Sequence, residues 1–217
     1  MLRDSDKCYM VGIETAVAGG SLSIFRNNSE LASMEGDAGV SRAEDLLVNI
    51  DRLLTECELT ASELNSIVVS NGPGSFTGIR VGIATALGLR SACGIRCVGL
   101  STLEAIAYTA TSSKVVSALP MGRDLTCLQS FTDKLPDSDP QLVPQERLGL
   151  ELSRVGRATV LCHADVYQLV NSVTPQNVEV RNIGSQLASF LCLSSRSVFA
   201  NDVFKPLFID RRAFIKI

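Results

Sequence analysis

The residues whose types and spacing could do chemistry are concentrated in NGPGSFTG, residues 71–78, between the apolar run 66–70 (SIVVS) and a segment of helical composition beginning at Ile79. A strand that stops at Gly72, Pro73, Gly74 and Gly78 and then opens a helix leaves several backbone N–H groups at the positive end of the helix dipole, where they suit an anion. Ser75 and Thr77 could cap that helix or bond a ligand oxygen, and Arg80 on its first turn could add a charge-assisted contact. The same spacing is compatible with glycines that merely allow a tight turn and close packing, with the hydroxyls as ordinary caps. A P-loop is excluded because Gly78 is followed by Ile79 and not by lysine. A dinucleotide fingerprint is excluded because G-x-G-x-x-x-G is one residue too long. The single histidine, His163, stands in LCHADVY with no second histidine at metal-ligand spacing, so a zinc hydrolase lacks its ligands and no metal site is expected.

The elements that must hold this stretch follow from periodicity. Residues 8–14 and 20–26 read as a β-hairpin closed by Ala18, Gly19 and Gly20, with a third antiparallel strand at 31–35. Leu46, Leu47, Ile50, Leu53, Leu54 and Cys57 recur at helical spacing, which predicts an amphipathic helix over 42–57. A buried strand at 66–70, a helix over 78–92, a strand at 97–100 and a helix opened by Ser101 with Glu104 three residues on complete the first half. The pattern then repeats more faintly: strands at 115–119 and 125–131, a loop over DKLPDSDPQLVP, a helix near Gln145, a strand at 158–162, a helix at 164–170, a strand at 178–180 and a helix at 183–193. TSSK interrupts the apolar pattern, so two units are expected, residues 1–110 and 111–217, in the α/β class with helices packed on mixed sheets.

Of the 217 residues, 46% are hydrophobic and 20% charged, enough to bury a sizeable core. The formal net charge of -3 provides no global positive field to hold a polyanion by counterion release. The seven cysteines are an odd number scattered through apolar runs, and Cys93 and Cys97 are separated by three residues where redox and zinc pairs have two. Reduced thiols are expected. The charged start MLRDSDKCYMVGIE lacks the apolar core of a signal peptide, and no window approaches about 20 uninterrupted apolar residues, so a cytoplasmic protein without a membrane span is expected.

SNGPGSFTGIRVGIATALGL followed by GIRCVGLSTLEAIA resembles the signature of the TsaB (YeaZ) family, GxGPGSFTGxRxGxxxAxGL and then a (V/I)GVSTLEA-type segment. GIETAVAGGSLSIF is similar to that family's opening hairpin, SRAEDLLVNIDRLL to its first long helix and KPLFIDRRAF to its closing PxYLR stretch. The resemblance implies a two-lobed actin-like fold of the sugar-kinase and heat-shock ATPase superfamily with an incomplete nucleotide site. It implies a non-catalytic partner subunit, without cofactor, that binds and activates the kinase-like TsaD and works with the ATPase TsaE in placing threonylcarbamoyl on an anticodon-adjacent adenosine of tRNA. Contact with tRNA would then be indirect, and the chain could form a homodimer when the partner is absent. By the same resemblance the ligand-side residues are Glu14, Thr15, Gly72, Gly74, Ser75, Thr77, Gly78 and Arg80, and the interface residues are Leu46, Leu47, Ile50 and Leu54 on the first helix with Ile79, Gly82, Ile83, Ala84, Leu87 and Gly88 on the second.

The sequence departs from that pattern at three places. Glu14 stands where the superfamily carries aspartate, Arg42 and Ala43 replace a histidine and a hydroxyl residue, and LPMGRD at 119–124 replaces a D-A-R segment. The enzyme alternative is a divergent nucleotide-binding member of the kinase superfamily. It would need a second phosphate-clamping turn, yet Gly122, Gly149, Gly156 and Gly184 are isolated. A peptidase, a label some relatives have carried, lacks its ligand set.

Overall fold

The computed structural model describes residues 7–36 and 45–195. Its first sheet contains β1 (Tyr9–Glu14), β2 (Ser21–Arg26), β3 (Ser29–Glu35), β4 (Leu64–Gly72) and β5 (Arg96–Ser101), in the order β3-β2-β1-β4-β5. The β1–β2 and β2–β3 pairs are antiparallel and the β1–β4 and β4–β5 pairs parallel. The second sheet contains β6 (Lys114–Pro120), β7 (Leu125–Thr132), β8 (Leu135–Pro136), β9 (Gln141–Pro144), β10 (Thr159–Cys162) and β11 (Glu179–Asn182). Its order is β11-β10-β6-β7-β8, with β9 also paired to β7. Each sheet is thus an antiparallel hairpin system continued by two parallel strands. Both are mixed sheets, as the alternation of strands and helices predicts.

Among the described residues six α-helices cover the sheets: α1 (Leu46–Glu56), α2 (Phe76–Cys93), α3 (Thr102–Thr109), α4 (Gln145–Ser153), α5 (Ala164–Val173) and α6 (Leu187–Ser194). The period of two along each strand assigns them to layers. Val11 and Ile13 of β1 meet Leu46, Ile50, Leu53 and Leu54 of α1 and Ala86 of α2, whereas Met10 meets Leu191 and Cys192 of α6. On β6, Val115 and Leu119 join Leu103 and Ile106 of α3 and Leu187 of α6, while Val116 and Ala118 join Leu148 of α4 and Val166 of α5. Helices α3 and α6 therefore lie between the sheets, with α1 and α2 outside the first and α4 and α5 outside the second.

Helix α6 is held to the first sheet over a long separation in sequence. Ala188 N–H donates to Ser21 Oγ at 2.9 Å, and Ser189 Oγ donates to Glu30 Oε1 at 2.9 Å. A Cβ on Gly12 would lie 2.7 Å from the Ala188 carbonyl oxygen, so glycine is what lets α6 approach β1. The prolines and aspartates of 133–144 suggest a loop, but this segment supplies β8 and β9, because β7 offers a free edge that local composition does not reveal. The last helix begins at Leu187, later than the apolar run alone suggests. Ser101 caps α3 as its sequence predicts, its Oγ accepting from Glu104 N–H at 3.4 Å. Arg42, Ala43 and KPLFIDRRAF lie outside the described residues.

All seven cysteines are free. Burial pushes the Cys127 and Cys162 thiols up to about 12 and raises that of Cys192 as well, with the Glu30 charge adding to the last. Alkylation of the native protein at pH 8 is therefore expected to reach the partly buried Cys8, Cys57 and Cys93 first and to modify Cys127, Cys162 and Cys192 only after unfolding. Peptide mass mapping before and after denaturant checks this, and rapid native labelling of Cys127 would contradict it.

Candidate functional site

The glycine-rich turn is locked onto the end of β1 by contacts from both sides. Ser75 N–H donates to the Ala16 carbonyl at 2.7 Å, and Thr15 Oγ1 donates to the Gly78 carbonyl at 2.8 Å. A Cβ on Gly74 would run into the Ala16 carbonyl, one on Gly78 into the Thr15 carbonyl and one on Gly82 into Thr15 Oγ1. Gly72 sits at φ +116°, a conformation that a side chain disfavours, and its N–H donates to Ser70 Oγ, itself 2.7 Å from Thr102 Oγ1. These glycines allow backbone to meet backbone. They tie the start of α2 to the first hairpin.

The donors and charges near this turn are largely committed within the chain. Glu14 is 1% exposed, and its Oε1 accepts from the N–H groups of Ala16 at 2.7 Å and Val17 at 3.0 Å. Ser75 acts as the N-cap, its Oγ accepting from Gly78 N–H at 3.3 Å. Arg80 is exposed and stacks its guanidinium 5.0 Å from the centre of the Phe76 ring, directed along the helix surface. Thr77 is exposed on the wall of a cleft of about 700 Å³. That cleft runs between the β1–β2 turn and start of α2 on one side and the β6–β7 turn, α4 and α5 on the other.

The residues expected at an interface divide into two sets. Leu46, Ile50 and Leu54 of α1 and Ile79 and Gly82 of α2 are buried against the first sheet and so cannot touch a partner. The inward half of an amphipathic stripe is needed by the helix's own core. On α1 Leu47 is 56% exposed; on α2 Leu87 is 39% exposed and Ala84 and Gly88 are exposed, with Ile83 half-buried. A Cβ at Gly88 would meet nothing within 4 Å. Two exposed apolar residues on the same helices escaped the sequence reading, Val48 at 65% and Phe76 at 56%. Val48 sits one position outside the expected stripe, which the stripe's own width could have signalled. Arg123, Thr126, Gln145 and Asp165 on the far wall of the cleft were missed too, because only the pairing of the second sheet brings them opposite the glycine turn.

The lone histidine has a structural role. His163 is 2% exposed and caps α5, its Nδ1 accepting from Asp165 N–H at 3.2 Å. Burial lowers its pKa below the ordinary value, against the smaller upward pull of the Asp165 and Glu35 carboxylates. Its folded-state pKa thus lies below its unfolded value of about 6.5. The neutral ring contributes stability that is present above pH 6.5 and lost as pH falls through the folded pKa. The wild-type Tm should fall between pH 7 and pH 5 more than that of His163→Asn, which keeps a capping acceptor without the titration. Equal slopes for the two proteins would refute this role. Among the described residues no group of three or more His, Cys, Asp or Glu side chains could hold a metal, and no helix is long and apolar enough to cross a membrane.

Residues 37–124 match the protein-family model described as TsaD: tRNA N6-adenosine threonylcarbamoyltransferase. An uncharacterized protein of Mycobacterium leprae is 39% identical over 88 residues, covering 41% of this chain and 24% of the relative. The tRNA threonylcarbamoyladenosine biosynthesis protein TsaB of Escherichia coli is 29% identical over 101 residues, covering 46% of this chain and 43% of the relative. The chain therefore spans between about a quarter and a half of the length of the curated relatives it matches. Among solved structures, a Pseudomonas aeruginosa protein described as similar to peptidase YEAZ superposes with a TM-score of 0.65 at 18% identity, covering 87% of this chain and 90% of that one. A Bacteroides thetaiotaomicron protein with an actin-like ATPase fold gives 0.52 at 13% identity, covering 89% and 99%. The two mixed sheets with their helices are thus a two-lobed, actin-like α/β fold, and the glycine turn with the STLEA segment that follows it lies within the stretch that matches the family model, in a chain similar to proteins of the TsaB/YeaZ family.

Proposed function

We propose that this chain is a non-catalytic partner subunit in tRNA threonylcarbamoyladenosine biosynthesis, and that it docks a TsaD-type catalytic subunit through the outer faces of α1 and α2. The observation that carries this reading is the exposure of apolar and small residues on both helices, Leu47 and Val48 on α1 and Ala84, Leu87 and Gly88 on α2, in a chain similar to TsaB proteins. Small residues let a second helix approach closely, and exposed apolar side chains supply the area to bury. Glu14, Thr15, Gly72, Gly74, Ser75, Thr77, Gly78 and Arg80 then serve mainly to set the angle of α2 on its sheet. A TsaE-type ATPase completes the machinery, tRNA is reached only through the partner, and the same face pairs two copies of the chain when the partner is absent. The lobes divide at residues 110/111, and the protein acts in the cytoplasm.

Reconstitution tests this reading. The chain is expected to co-purify with its cognate TsaD-type subunit and to be required for modification of tRNA when every other component is present. Full modification without it, or failure to co-purify, would overturn the proposal. The alternative, a divergent nucleotide-binding enzyme, predicts turnover of ATP by the isolated chain.

A further inference from the structure

We propose that the second lobe binds a single phosphate group, inorganic or carried as a monoester by a small molecule, between Lys114 and Arg157 at the edge of its sheet remote from the cleft. The start of β6 at Lys114, of β10 at Thr159 and of β11 at Glu179 lie side by side on that edge. They do so because the three strands run parallel, with Thr159 in register with both Val115 and Glu179. The cleft lies at the other end of β6, beside Pro120 and Met121. A separate depression of about 330 Å³ opens where the three strands begin. Ligands of open α/β sheets gather at the carboxyl ends of the strands, so the cations at this amino end are not explained by the cleft.

The charged groups near this depression divide by what they already bind. Glu179, the one carboxylate on its wall, accepts from Arg181 Nε at 2.7 Å and Nη2 at 3.1 Å, and from Thr159 Oγ1 at 3.3 Å. Arg154, at the end of α4, is spent on Glu151, both of whose carboxylate oxygens lie 3.1 Å from its Nη1. Lys114 and Arg157 differ. Both are exposed on the wall of the depression, and among the described residues no carboxylate pairs with either. Ser113 and Asn177 border the same space, and among the described residues their side chains make no hydrogen bond. Ser112 Oγ, by contrast, is 2.9 Å from Thr159 Oγ1 and ties the segment before β6 to β10. Two cations and two neutral donors around one depression suit a compact anion with several oxygens and two negative charges, which is a phosphate group. A carboxylate, with two oxygens and one charge, would leave half of that set unused.

The amide NMR spectrum of the full chain, titrated with inorganic phosphate and with glycerol 3-phosphate against potassium chloride at matched ionic strength, tests the site. Saturable shifts at millimolar concentration or below are expected from both phosphates, centred on residues 112–114, 157–159 and 177–179, with none from chloride. Inorganic phosphate binding at least as tightly as the ester identifies the free anion as the ligand, and a tighter ester identifies a phosphorylated small molecule; either supports the site. Lys114→Gln and Arg157→Gln should each weaken phosphate at least about fivefold, the scale of one exposed charge-assisted bond. Arg154→Gln, also exposed but already paired, should leave the affinity unchanged. Gly88→Glu, on the docking face, should bind phosphate as the wild type does, so failure of the docking proposal and failure of this one are separable. Shifts that do not saturate or that centre on the cleft would overturn the proposal. So would full affinity in either Lys114→Gln or Arg157→Gln, an equal loss in Arg154→Gln, or a response to single-stranded RNA without one to free phosphate.

Discussion

Gly88→Glu is expected to weaken association with a TsaD-type subunit by at least about 100-fold while leaving the chain folded, since a buried unpaired charge costs several kcal/mol. The site is open: a side chain there meets nothing in the free chain. Ala84→Glu, one turn earlier on the same exposed face, should behave alike. Circular dichroism and thermal unfolding report the fold, and calorimetric titration with the partner reports the affinity. Ala107 lies outside both helices, but at 1% exposure it is core, and a glutamate there would unfold the chain for unrelated reasons. Leu135→Glu, on a side chain 70% exposed in the second lobe, is the sound control. If both helix variants are folded and bind at wild-type affinity, the interface is elsewhere.

Two glycines of α2 should respond to alanine in opposite directions. Gly78→Ala drives a Cβ into the Thr15 carbonyl, and backbone on both sides has little room to yield. A loss of about 3 kcal/mol or more is expected, at the upper end of the range for overpacking. Gly88→Ala adds a methyl in open space within a helix and should stabilise the chain by about 0.5–1 kcal/mol through helix propensity. Urea denaturation with unchanged m-values measures both. A neutral Gly78→Ala would mean that the turn is not held against β1 as described.

Much of the fold was legible because its signals are local. The change from the continuous apolar run of β4 to helical composition after Gly78, the spacing of Leu46, Ile50, Leu53 and Leu54, and the cap at Ser101 each depend on neighbours within a few turns. Strands β8 and β9 were not legible, since their pairing with β7 outweighs the turn-like composition of 133–144. The residues expected on the ligand side were picked by type, but the contacts each makes in the folded chain are largely long-range. Ser75 and Gly78 are tied to Ala16 and Thr15 some 60 residues earlier, with a separation of 63 between Thr15 and Gly78, and no local signal announces those contacts.

The amino-acid sequence by itself determined the class of structure, the order of most of its elements and the resemblance to the TsaB/YeaZ signature, because apolar periodicity and a glycine-serine-threonine motif survive without knowledge of partners in space. Only the tertiary structure decided which side of each amphipathic helix is surface. Leu46 and Leu47 are adjacent leucines of equal hydrophobicity, yet one is 4% and the other 56% exposed. The same helical period that draws Leu46, Ile50, Leu53 and Leu54 onto the sheet turns Leu47 about 100° away from Leu46, and among the described residues nothing covers it as the sheet covers the others. The cleft is likewise a product of pairing, because Arg123 and Thr126 face the first lobe only once β6 and β7 have zipped antiparallel and α3 and α6 have set the two sheets apart.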